Sequence, residues 1–121
     1  MPNLFPQRPF VLVVEDNILV RCCAVAHLED GGFSVLEAAD AEEALQKLDE
    51  QGGLTVVFTD IHMPGPFDGL SLAHKVFQRR PEVRLILTSA NEPLKDEMPP
   101  DARFLAKPYD CNLLTELIMA A

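Results

Sequence analysis

Five short apolar runs alternating with segments of helical period constrain this chain more than any other feature it has. Phe10 to Val14 is a continuous apolar run that ends in two acids, as a central parallel strand does where its carboxyl end meets solvent. Asn17 can cap the next segment, in which Leu19, Cys22, Cys23 and Ala26 recur at helical spacing until Gly31-Gly32. Phe33 to Ala38 is the second run; Asp40 can then cap a helix with Ala41, Ala44, Leu45 and Leu48 on one face, ending at Gly52-Gly53. Leu54 to Thr59 is the third. After a loop rich in Pro and Gly, Leu70, Ala73 and Phe77 mark a third helix that stops before Pro81. Val83 to Thr88 and Phe104-Leu105 supply the fourth and fifth strands. Between those two, Pro93, Pro99 and Pro100 leave only Leu94 to Met98 for a fourth helix, little more than one turn. A last helix, with Asp110 as its cap, carries Leu114, Leu117 and Ile118. Such alternation specifies an α/β domain with a parallel sheet and right-handed crossovers, whose ligand site lies beyond the carboxyl ends of the strands.

The 121 residues suffice for one hydrophobic core and leave little room for a second, so a single domain over 1–121 is expected, with 1–8 as an N-terminal extension. A formal net charge of −9 argues against direct nucleic-acid binding, which needs clustered Lys and Arg. Nothing in MPNLFPQRPF reads as a signal peptide and no segment is long enough to insert in a membrane, so a cytoplasmic location is expected. Cys22, Cys23 and Cys111 form no metal-ligand spacing, and reduced, mostly buried thiols are expected of them. A redox sensor would need an exposed, electropositive cysteine site, which the acidic composition gives no reason to expect.

The chemistry gathers where a parallel sheet brings strand ends together. Glu15-Asp16, Asp60, Thr88-Ser89 and Lys107 all fall at that edge. Carboxylates about 4 Å apart repel by roughly 4 kcal/mol at an effective dielectric of 20, so a divalent cation or protonation must compensate. Oxygen-only ligands select a hard cation, and Mg²⁺ is the natural candidate. A carboxylate beside it can act as nucleophile toward phosphorus while an ammonium and a hydroxyl hold the phosphoryl oxygens.

VLVVED at 11–16, TDIHMPG at 59–65 with DGL at 68–70, LTSA at 87–90 and KP at 107–108 together resemble the receiver domain of two-component response regulators. The resemblance covers essentially the whole chain. It implies a doubly wound, flavodoxin-like five-stranded sheet in the order 2-1-3-4-5, with a shortened fourth helix here. It implies a switch that takes a phosphoryl group from a sensor histidine kinase or phosphotransfer protein and acts on a downstream protein target. In these terms Asp60 is the phosphoacceptor, Asp16 a direct Mg²⁺ ligand, Glu15 a water-mediated one, and His62 a donor of its backbone carbonyl only. Ser89, placed before the small Ala90, is the hydroxyl that meets phosphate. Lys107 pairs with the acceptor carboxylate, and Phe104 is the aromatic whose rotamer follows activation. The Lys107-Pro108 bond is expected to be cis. Three departures stand out. Glu15 replaces the commoner Asp, the loop after Asp60 is one residue longer before Asp68-Gly69, and the stretch from Ser89 to Lys107 is short.

Blander readings compete with these. Glu15-Asp16 taken alone are better explained as solvated loop residues, and Phe104 equally well as ordinary strand packing. His62 has no second His or Cys at ligand spacing, so its imidazole is expected to be exposed and unligated, and His27 and His74 to be surface or partly buried. Thr88 is expected to be a buried strand residue. An aspartate-nucleophile phosphatase would want a carboxylate at position 62 and a cap domain, so no enzyme is expected. A pseudo-receiver that only binds protein would not need the complete set of acids and lysine.

Overall fold

A computed structural model describes residues 8–120. Most of the N-terminal extension therefore lies outside the described residues, while the Arg8 guanidinium donates to the Gly32 carbonyl at 3.0 Å. The element order is β1 (Phe10–Val14), α1 (Ile18–Asp30), β2 (Ser34–Ala38), α2 (Ala41–Glu50), β3 (Val56–Asp60), α3 (Gly69–Arg79), β4 (Arg84–Ser89), a single 3₁₀ turn (Lys95–Glu97), β5 (Arg103–Ala106) and α4 (Cys111–Met119). All neighbouring strands are parallel and the sheet order is β2-β1-β3-β4-β5, as expected. β3 and β4 each begin and end one or two residues later than their apolar runs predict, because Asp60 and Ser89 still pair in the ladder at the functional edge.

Each helix starts where a side chain can accept the orphan amides of its first turn. Asn17 Oδ1 accepts from Leu19 N (3.0 Å) and Val20 N (3.2 Å). Asp40 accepts from Glu43 N (2.8 Å) and Asp110 from Asn112 N (2.8 Å). Asp68 caps α3 through Ser71 N at 2.9 Å, a cap the periodicity did not single out. The fourth helix is indeed reduced to one turn, bounded by Pro93 on one side and Pro99-Pro100 on the other.

The core lies on both faces of the sheet. Leu12, Val14, Val57, Leu85 and Leu87 pack against α2 and α3, while Val11, Val13, Phe58 and Ile86 pack against α1 and α4. One expectation is corrected here. In α1 the buried residues are Ala24 and Leu28, and the apolar series Leu19, Cys22, Cys23 and Ala26 is exposed, with Leu19 and Cys23 along the groove beside α4. Apolar side chains fall on nearly every side of this helix, so its period cannot select a face. In α3 the marked residues do pack on the core, Ala73 fully buried beside Leu72 and Val76, and Leu70 and Phe77 half-buried against it. The thiols are corrected as well, since Cys22 and Cys23 are exposed and Cys111 is half-buried.

Candidate functional site

Glu15 directly follows β1, and Asp60 is the last residue of β3, so the 2-1-3-4-5 order sets these two acids on adjacent central strands. Both are almost wholly buried, whereas Asp16 is exposed. Oxygens of all three approach within 4.8 Å of one another. Lys107, from the segment after β5, bridges the buried pair: its Nζ lies 2.9 Å from Glu15 Oε1 and 2.8 Å from Asp60 Oδ2. The other oxygens are bound as well, Glu15 Oε2 by the Asn17 amide (3.0 Å) and Asp60 Oδ1 by the His62 amide (3.1 Å).

Burial pulls the Lys107 ammonium down, but its hydrogen bonds to Asp60 and Glu15 outweigh that and leave its pKa raised. Asp16, though exposed at the side-chain surface, is also raised, first by partial loss of solvent around its carboxylate and then by the neighbouring Glu15. One ammonium among three carboxylates leaves the cluster short of positive charge. An all-oxygen, electron-rich donor set of this kind fits a hard divalent cation such as Mg²⁺.

Ser89 and Thr88 separate by strand alternation. Ser89 shares the α2/α3 side of β4 with Leu87, whose ladder partner is Phe104; its Oγ accepts from Asn91 N at 3.2 Å, and its carbonyl accepts from Lys107 N at 2.9 Å. Thr88 shares the opposite side with Ile86. It is buried as expected, and among the described residues its hydroxyl has no hydrogen-bond partner. Phe104 is half-buried against the α2/α3 core. The His62 side chain is exposed, as is His74, while His27 is partly buried. The Lys107-Pro108 peptide is cis.

Arg21 and Tyr109 shape the site without having been marked beforehand, and Gly69, quoted only within DGL at 68–70, takes a part there that the motif did not state. Arg21 donates to the Glu15 carbonyl (2.8 Å) and to Glu37 (2.8 Å); its one available signal was being the lone cation in an otherwise apolar helix turn. Gly69 packs directly on the Asp60 backbone, its amide donating to the Ile61 carbonyl at 2.8 Å. Tyr109 meets Phe58 edge-on at 5.5 Å between ring centroids, and burial, with the nearby Cys111 and Glu15, pushes its hydroxyl up to about 12.

Residues 11–119 match the response regulator receiver domain. The chain belongs to that family. This receiver is 34% identical over 113 residues to the sensor kinase CckA of Brucella abortus, a match covering 89% of the chain and 12% of the kinase's length. Among solved structures it is similar to a response regulator receiver protein from Pseudomonas putida, at 30% identity and a TM-score of 0.81, covering 94% of this chain and 98% of that one. It also resembles the response regulator TrrA of Thermotoga maritima, solved in complex with Mg²⁺-BeF, at 25% identity and a TM-score of 0.78, covering 91% and 96%. Among the described residues of this receiver, no helix is long and apolar enough to cross a membrane.

Proposed function

We propose that the chain is a single receiver domain acting as a phosphorylation switch, in which Asp60 accepts a phosphoryl group from a sensor histidine kinase or a phosphotransfer protein. The observation that carries this reading is a buried Asp60 carboxylate held between the Lys107 ammonium and the His62 amide, inside a cluster of three acids. Glu15, Asp16, Asp60 and the backbone carbonyl of His62 would hold Mg²⁺. When bound, the ion supplies positive charge to the phosphoryl oxygens in transfer.

The chain's own groups do the rest. An Asp60 oxygen forms the new O–P bond as the P–N bond to the donor imidazole breaks, and the departing nitrogen keeps the electron pair. Lys107, its pKa raised, stays cationic through neutral pH and turns from the acceptor carboxylate toward the added oxygens. Ser89 exchanges its contact with the Asn91 amide for a bond to phosphate, and Phe104, on the same side of the sheet, turns into the space that this movement opens. Exposed Ile18 and Leu19, in the first turn after the acids, offer the donor an apolar landing surface.

The domain supports its own phosphotransfer and dephosphorylation and turns over no phosphomonoester. Its place is the cytoplasm, its output a protein target, and its net charge of −9 leaves no role in direct nucleic-acid contact. Incubation with acetyl phosphate and Mg²⁺ should add one phosphoryl mass to the native protein and none to Asp60→Asn. Equal labelling of the variant would overturn the assignment.

A further inference from the structure

The notable feature outside the acidic cluster is a groove of about 520 Å³ between α1 and the start of α4, lined among others by Leu19, Val20, Cys23, Pro108, Tyr109 and Cys111. The two helices follow strands of one parallel sheet on the same face, so they run side by side in the same direction. Their contact has a known register. His27 Nε2 and Thr115 Oγ1 meet at 3.2 Å, and Thr115 Oγ1 also donates to the Cys111 carbonyl at 3.2 Å. Cys23 stands four residues before His27 and Cys111 four before Thr115. One helical turn back along both helices therefore sets these two thiols opposite each other on the facing sides.

We propose that Cys23 and Cys111 form a reversible dithiol–disulfide site, oxidised by hydrogen peroxide or a related hydroperoxide, that ties α1 to α4 across this groove. Cys23 is exposed and meets the oxidant first. Its sulfur attacks the peroxide oxygen, the O–O bond breaks, and Cys23 becomes a sulfenic acid with release of one water. Cys111 sulfur then attacks that sulfur, forming the S–S bond and releasing a second water. Two thiols and one hydrogen peroxide thus give one disulfide and two waters. Cys111 suits the resolving role, since burial, the neighbouring Cys23 and Asp110 hold its thiol above the usual range and leave it the poorer first nucleophile. Cys22 is also exposed, but as the residue next to Cys23 it is turned about 100° around α1, away from α4.

The test treats the reduced 121-residue chain with a small excess of hydrogen peroxide, quenches it with an alkylating agent, and maps peptides without reduction. The expected product is a monomer lighter by two hydrogens, with Cys23 and Cys111 peptides joined, Cys22 alkylated, and a melting temperature raised by several degrees that dithiothreitol reverses. Cys22→Ser should behave like the native protein. Cys111→Ser should stop at a Cys23 sulfenic acid that dimedone captures, and Cys23→Ser should form no link. A link through Cys22, a purely intermolecular link, or three alkylated thiols with no loss of mass would each overturn the proposal. Because peptide mapping of the native protein carries the result, a variant that fails to fold does not obscure it. Phosphoryl labelling of Asp60 is a separate readout, so either reading can fail alone.

Discussion

Gly69→Ala should disable this receiver from a position that touches no ligand. A Cβ at residue 69 would stand 1.8 Å from the carbonyl oxygen of Asp60, 2.8 Å from its carbonyl carbon and 2.9 Å from Ile61 Cα, all of them backbone atoms without a rotamer to yield. Restoring ordinary contact requires α3 to withdraw from the end of β3 by about 1.5 Å. Leu72, Ala73 and Val76 would withdraw with it, and all three are fully buried. A buried leucine makes about 40–60 contacts of ~0.1–0.2 kcal/mol each, and a gap of this order forfeits at least a quarter of that, about 1–3 kcal/mol for Leu72 alone. The Gly69 amide bond to the Ile61 carbonyl contributes about 1 kcal/mol more. A destabilisation of about 3 kcal/mol is therefore expected. It would be measured as a lowered urea midpoint at unchanged slope, together with weaker Mg²⁺ binding because the Asp60 backbone moves. Gly52→Ala is the control: nothing lies within 4 Å of its Cβ, so the change should be neutral or stabilising by up to about 1 kcal/mol. A Gly69→Ala protein within 1 kcal/mol of native stability, with native Mg²⁺ affinity, would refute the reasoning.

Three other outcomes are expected. Leu28→Ala should cost about 2–5 kcal/mol in chemical denaturation and Leu19→Ala less than about 0.5 kcal/mol, the reverse of what the apolar stripe Leu19, Cys22, Cys23 and Ala26 implies. Lys107 has a raised pKa in the folded state, so its ion pairs stabilise the fold fully below the unfolded value near 10.5 and are lost as pH climbs through the higher folded value; the stability gap between native protein and Lys107→Met should narrow over that alkaline range and stay constant around neutrality. Asp16 is likewise raised, but for a carboxylate this means the native state holds its proton more tightly than the unfolded chain. Metal-free stability should therefore fall as pH rises from 3.8 through the folded value, Asp16→Asn should remove that decline, and the same variant should bind Mg²⁺ more weakly at neutral pH.

How much of this was legible beforehand differs from residue to residue for a physical reason. Strand and helix positions were readable because apolar period and capping are properties of neighbouring residues, and Asn17, Asp40 and Asp110 do cap the helices they precede. The membership of the acidic edge was readable too, since parallel strands must present their carboxyl ends together once alternation is recognised. Contacts between distant segments were not directly encoded. Lys107 reaches Asp60 across 47 residues and Glu15 across 92, a meeting that the motifs implied but that only the crossovers create. Gly69 stands in the DGL motif, but its contact with the Asp60 carbonyl has no signature in apolar period or capping, because the need for a missing Cβ arises from how closely α3 approaches β3.

The sequence by itself determined the alternation of strands and helices, the reduction of the fourth helix to one turn between prolines, and which residue types stand at the functional edge. Tertiary structure alone decided which side of α1 is buried, which hydroxyl of Thr88-Ser89 shares a face with Phe104, and that Cys23 and Cys111 line one groove. Period can name the faces of an element only where polar and apolar residues separate around it. In α1 they do not, and the burial of Ala24 and Leu28 was settled by the sheet and the neighbouring α4 against which that helix packs.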